Sequence, residues 1–208
     1  MSFVNLASAT KFNRASQIVT DIGTGGFMAL YSGSVPSSPD LPATGTLLAS
    51  MQLSNVAAVV SLAVMNAAIT APGTGGRDGS YALTFIDGGG TGAGGYYIVT
   101  DGVLASITMN AYGSGYTGPP FVGGFGTAGL TGATAVAVMT AVVTFNPISS
   151  ATAGANGTVG WARVTTSNGT GIIDLDVGTT NAASVVMSNT YVSVGGTVTC
   201  SAEVLIEA

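Results

Sequence analysis

The chain contains no histidine, which removes at once the commonest general base and the commonest metal ligand of proteins. Its many serines and its one cysteine, Cys200, therefore have no imidazole to activate them, and triad-type nucleophilic catalysis would need an unusual base. One cysteine also excludes an intrachain disulfide framework. Charge is nearly missing as well. Only 6% of the 208 residues are charged, and Lys11, Arg14, Arg77 and Arg163 are the only cations against nine acids. Without a basic patch to neutralise phosphates, no nucleic-acid partner is expected. Long apolar runs are lacking too. The two best, residues 56–70 and 133–145, are interrupted by Ser61 and Asn66 and by Thr134 and Thr140. Neither reaches the roughly 18 uninterrupted apolar residues of a spanning helix, so both read as strands and no membrane partner is expected. Residues 1–8 lack a basic head followed by an apolar run, so no cleavable secretion signal is expected either.

What is present is small and β-prone. Hydrophobic residues make up 47% of the chain, and Ala and Val outnumber Leu among them, while Gly, Thr and Ser fill positions where an enzyme commonly carries Lys and Glu. A surface so poor in charge is a weak guard against self-association, and Thr, Ser and Ala tolerate burial well. Much of the exterior is therefore expected to be covered by neighbours in an assembly.

Periodicity assigns one helix, over residues 3–22, from Val4, Phe12, Ala15, Ile18, Val19 and Ile22 at three- and four-residue steps, stopped by the glycines of residues 23–26. Beyond it the period becomes two. Strands are expected over residues 27–31, 46–53 and 56–70, with a loop over 32–44 punctuated by Pro36, Pro39 and Pro42. Near the end, Val198, Cys200, Ala202, Val204 and Ile206 alternate with Thr197, Thr199, Ser201, Glu203 and Glu207. That pattern predicts one half-buried antiparallel strand over 196–207, broken only by Leu205, with Cys200 a small buried hydrophobe. Residues 158–166 and 171–177 flank Ser167-Asn-Gly-Thr170, where an Asn-Gly pair supplies two positive-φ residues for a tight hairpin. Trp161 alternates with Val159 as a core anchor.

Between residues 73 and 131 glycine becomes dense, with short strands expected at 81–86, 95–100, 103–109, 121–122 and then 133–145. The organisation expected is mainly β: an antiparallel β-sandwich or barrel-like host domain, residues 1–72 and 141–208, with the N-terminal helix, and a glycine-rich β domain, residues 73–140, inserted into one of its loops.

Motifs for chemistry are few. Asp174 and Asp176 lie on one strand face about 7 Å apart, a spacing that suits an inverting glycosidase or a Ca²⁺ ion, yet both are expected as ordinary acids on the solvent face of a hairpin. The glycine run of residues 88–95 lacks the Gly-Lys-Ser/Thr ending of a phosphate loop and leads into a strand, so no nucleotide is expected. Asn156-Gly-Thr158 and Asn168-Gly-Thr170 read as turns. No catalytic residue, cofactor or metal site is assigned. The aromatics Tyr96, Tyr97, Tyr112, Tyr116, Phe121 and Phe125 all fall in the inserted unit, and at least half are expected in its core because so small a unit has few other large side chains. Tyr112, Tyr116 and Phe121, in and beside the Gly-Ser-Gly-Tyr-Thr-Gly-Pro-Pro stretch, are the candidate contacts for a ligand or partner.

Several runs resemble a family of small virion structural proteins of tailed bacteriophages. They are residues 29–40, Ala-Leu-Tyr-Ser-Gly-Ser-Val-Pro-Ser-Ser-Pro-Asp; residues 43–49, Ala-Thr-Gly-Thr-Leu-Leu-Ala; residues 157–163, Gly-Thr-Val-Gly-Trp-Ala-Arg; the Ser167-Asn-Gly turn; residues 174–178, Asp-Leu-Asp-Val-Gly; and the tail 194–199. The glycine-rich middle is similar to a β module found in many phage structural and tail proteins. The resemblance brings no catalytic residues and implies a non-enzymatic virion protein, assembled in the host bacterial cytoplasm. Its expected role is capsid decoration or cement, bound to the major capsid protein or other virion proteins as a homo-oligomer, with a trimer at a local three-fold site in view. The alternative is a tail- or fibre-associated protein whose inserted domain binds host-surface glycan.

Overall fold

The structure is a computed structural model describing residues 6–206. Phe3 and Val4 of the expected helix and Glu207 of the expected last strand lie outside the described residues, as do the side chains of Leu205 and Ile206. The fold is mainly β, as expected. In chain order it runs α1 (Ser8–Ile22), β1 (Phe27–Ser32), β2 (Leu47–Gln52), β3 (Ala58–Thr74), β4 (Gly79–Ala82), β5 (Thr84–Ile86), β6 (Thr91–Thr100) and β7 (Val103–Ser114). There follow β8 (Phe121–Gly123), a 3-10 turn (Phe125–Ala128), β9 (Thr131–Phe145), β10 (Ala151–Thr152), β11 (Gly157–Thr165) and β12 (Gly171–Gly178). Last come β13 (Val185–Val186), β14 (Tyr191–Val192), β15 (Thr197–Val198) and β16 (Ser201–Ile206). The chain divides into two compact units, the first built mainly on Ser61–Val142 and the second on Arg14–Val60 and Val143–Leu205.

In the second unit the strand order is β2-β1-β11-β12-β13-β16, and every neighbour pair is antiparallel except β12–β13. The β1–β11 register sets Leu30 opposite Ala162 and Met28 opposite Val164, and β2 adds Met51 opposite Met28. These side chains, all buried, form one face of the sheet; burying a residue of this size stabilises by about 1.5–3 kcal/mol. The other face of β11 carries Trp161, Arg163 and Thr165, and they are buried too, so residues 161–165 are continuously covered where alternation predicts exposure at every second position. Helix α1 ends at Gly23, whose φ of 65° and N–H bond to Val19 O (3.3 Å) make a left-handed stop that a side chain would resist.

Three local expectations are corrected. The 167–170 turn has positive φ at Gly169 (84°) but not at Asn168, so it is not the two-residue type expected. The Thr166 hydroxyl accepts from the N–H groups of Asn168 and Thr170, both at 3.2 Å, and Gly169 N–H donates to Thr166 O; those bonds hold a wider loop with glycine in the left-handed position. Residues 196–207 are not one strand. Exposed and covered residues do alternate through Val204, but backbone pairing stops at Thr199-Cys200, because β15 pairs β10 whereas β16 pairs β13. The strand expected over 81–86 is two, since Leu83 turns away to donate its N–H to Gly95 O (2.9 Å).

In the first unit β9, β8 and β5 are neighbours with β3 beside β9, and β4-β6-β7 form a separate three-stranded sheet. Tyr97 sits at the centre of its core. The ring stacks on Tyr81 at 5.5 Å between centroids and meets Phe125 edge-on at 5.1 Å, with Leu83, Val99, Leu104, Val122 and Leu130 around it. Tyr97, Tyr116 and Phe125 are buried among the six aromatics considered above, as a glycine-rich unit short of large side chains requires.

Candidate functional site

Two places concentrate chemistry, one in each unit. In the second unit Arg163 on β11 stands opposite Asp174 on β12, and the two side chains are 6% and 7% exposed. Its Nε donates to Asp174 Oδ1 at 2.6 Å and Nη2 to Oδ2 at 2.7 Å, a bidentate charge-assisted pair. Nη1 donates to Leu41 O at 2.7 Å and Nη2 reaches Ser38 O at 3.4 Å, so the guanidinium also holds the proline-punctuated loop over the sheet. The loop has its own bracing, with the Ser38 hydroxyl bonded to Asp40 Oδ2 and Leu41 N–H to Ser38 O. Asp174 raises the Arg163 pKa by hydrogen bonding, against the lowering effect of burial. Beneath Arg163 lies Trp161, 5.3 Å from guanidinium carbon to ring centroid, and Tyr31 stacks on Trp161 at 4.6 Å and 15°.

Asp174 is thus corrected from a solvent-facing acid to half of a buried ion pair. Its strand face, expected to be open, is roofed by the loop that Arg163 captures. Asp176 does stay exposed, where its carboxylate accepts from Ser184 N–H at 3.1 Å, and it shares no partner with Asp174. Chemically the arrangement is a clamp, because the Asp174 carboxylate fixes the guanidinium while the Leu41 and Ser38 carbonyls tie the loop to it. A cleft of about 440 Å³ opens beside it, lined by Tyr31, Pro39, Leu41, Pro42, Arg163 and Thr170 among others. The signal for the clamp was present in the sequence: counting outward from Asn168-Gly169 as a hairpin centre sets Arg163 against Asp174.

In the first unit the structure separates the three candidate contact residues. Tyr116 is 3% exposed and makes an antiparallel bridge with Leu62, two N–H···O bonds of 3.1 Å, so its ring is core. Tyr112 is 50% exposed on β7 of the three-stranded sheet, while Phe121 is 65% exposed on β8 of the other sheet. Phe121 does have company that sequence reasoning missed. Its cross-strand neighbours are Ile86 on β5 and Val136 on β9, each 52% exposed, which makes an apolar stripe across three adjacent strands. Alternation in β9 shows Val136 and Val138 on one face, but the meeting of Val136 with Phe121 and Ile86 depends on the register between separate strands.

Among the described residues no group of three or more His, Cys, Asp or Glu side chains is gathered to hold a metal, and no helix is long and apolar enough to cross a membrane. No protein-family model, curated protein or solved structure matches the chain.

Proposed function

We propose that the chain is a non-enzymatic structural protein of a tailed-bacteriophage virion, and within it a capsid decoration or cement protein that binds the major capsid lattice and stabilises the head. The observation that carries the reading is the Ile86–Phe121–Val136 stripe on a chain with 6% charged residues. Aligned apolar side chains on a surface this poor in charge, with Asp87 the acid that follows Ile86, are what a docking face needs. Self-association has a second support. Strand β7 is an edge of its sheet, twelve residues long and without a charged side chain, and uncharged edges pair readily with further strands. The protein then acts as a homo-oligomer in the assembled particle, contacting the major capsid protein or other virion proteins.

The reading is tested by mixing the purified chain with purified heads and measuring co-sedimentation and the heat resistance of the heads. Wild type should pellet with heads and raise their disruption temperature, and a Phe121→Ser/Val136→Ser variant should stay in the supernatant. A wild-type chain that washes off intact heads overturns it.

The exposed rings of Tyr112 and Phe121 favour one other reading, a tail- or fibre-associated protein that grips host-surface glycan. A glycan array decides it: binding lost on Tyr112→Ala or Phe121→Ala supports recognition, and an array without signal removes it.

A further inference from the structure

Cys200 occupies the two-residue interruption between β15 and β16, and its Sγ is 3.7 Å from Met28 Sδ and 4.0 Å from Met51 Sδ. Met28 and Met51 are fully buried and stand directly opposite each other on β1 and β2, while Cys200 keeps partial exposure. Three sulfurs from three parts of the sequence therefore converge in the second unit. We propose that Met28, Met51 and Cys200 form a binding site for a soft monovalent cation, Cu(I) or its chemical analogue Ag(I).

Ligand type comes first. Thioether and thiolate sulfur are soft donors that select Cu(I), whereas hard cations such as Mg²⁺ and Ca²⁺ require oxygen. Distance agrees. Sulfurs 3.7 and 4.0 Å from Cys200 Sγ are close enough for a cation to sit about 2.3 Å from the thiolate, a metal–thiolate bond length, and equally near either thioether. The two thioethers come from cross-strand partners, whose Cβ atoms such pairing keeps about 4.5–5.5 Å apart, so both side chains leave the same face of the sheet toward Cys200. Charge agrees as well. On binding, the Cys200 S–H bond gives its proton to solvent and a sulfur–metal bond forms, with no change of oxidation state. The thiolate and a monovalent cation then sum to zero, so a buried pocket holds no net charge, whereas a divalent cation would leave one uncompensated. Entry is through Cys200, the exposed member, at a point where the strand pairing is interrupted. The site is independent of the virion reading, which predicts nothing about metals.

The experiment titrates the purified chain with Cu(I) under reducing, anaerobic conditions against a chromophoric Cu(I) chelator, with Ag(I) as a redox-inert repeat. About one equivalent should be retained, and iodoacetamide labelling of Cys200 should slow at least about tenfold when the metal is present. Met28→Leu and Met51→Leu conserve volume and should leave the circular dichroism unchanged while each weakens retention at least about tenfold. Cys200→Ser should abolish retention. The proposal is overturned if the chelator strips the metal completely from the wild type, or if the Met→Leu variants hold it as well as wild type, which would mean that a bare thiol does the binding.

Discussion

Arg163 and Asp174 face each other across β11 and β12 and share two hydrogen bonds of 2.6 and 2.7 Å, while the same guanidinium carries the backbone of Leu41 at 2.7 Å. One side chain thus joins a hairpin to a loop some 120 residues earlier in the chain. A residue whose donors are divided in this way cannot be exchanged for lysine, whose ammonium lacks the planar fork.

Asp174→Ala should destabilise the chain by about 3 kcal/mol, since removing one partner leaves the other charge buried without compensation. Denaturant unfolding at neutral pH measures it. The double substitution Arg163→Met/Asp174→Leu should recover most of the loss in stability, because no charge is then stranded, yet leave the proline loop untethered. Limited proteolysis near residues 36–43 should therefore be faster in the double variant than in wild type, and equal rates would show that the clamp does not hold the loop.

Gly171 makes the same clamp possible from below. A Cβ at this position would lie 2.5 Å from Pro39 O and 3.3 Å from Arg163 Cδ, and a backbone carbonyl cannot be rotated away as a side chain can. Gly171→Ala should therefore cost about 1–3 kcal/mol as an overpacking change. It should also accelerate proteolysis of the loop, whereas Gly169→Ala, with open space around its Cβ, should cost only the strain of a left-handed φ and leave the loop protected.

Local pattern reads well here wherever one residue's neighbours decide its state, and poorly where the partner is remote. Helix α1 and strands β1, β2 and β9 follow from periodicity because each has an apolar set of its own to bury. The buried Trp161–Thr165 run does not, because its second cover is a loop that arrives from residues 36–43. The division within β3 and β9 is invisible for a related reason: Val60 to Ser61 and Val142 to Val143 fall inside continuous strands, where neither glycine nor proline marks a change. Tyr116 and Phe121 are five residues apart in one glycine-rich stretch and look alike in the sequence. A bridge to Leu62 buries the first, and pairing with Ile86 and Val136 leaves the second outward.

Tyr97 gives a pH dependence whose sign follows from its burial. Desolvation raises its pKa above the ordinary 10.0, and its hydroxyl donates to Gly124 O at 2.8 Å. A group whose folded pKa is raised lends stability that is fully present below the unfolded value and is lost as pH climbs through the folded one. Wild-type stability should therefore fall above pH 10 more steeply than that of Tyr97→Phe. At neutral pH the variant should be less stable by about 1 kcal/mol, the worth of the lost hydrogen bond. Thermal melts from pH 8 to 11.5 on both proteins provide the comparison, and parallel curves would contradict a buried, neutral Tyr97.

Edge strand β7 offers a charge test of self-association. Its pairing with β6 skips Ala105 and Asn110, since Ile98 and Val99 face Ser106 and Leu104, and Gly94 and Gly95 face Ala111 and Met109. Bulges at those two positions bend the strand and leave Ser106 to Met109 as its regular stretch. Thr108 is exposed within it. A lysine there places a solvated charge beside the open backbone groups, the device by which edge strands are kept from pairing. If copies associate through β7, Thr108→Lys should lower the sedimentation-equilibrium mass toward 20.3 kDa while melting at the wild-type temperature. If they associate through the Phe121 stripe instead, Thr108→Lys should leave the mass unchanged and Phe121→Ser should lower it.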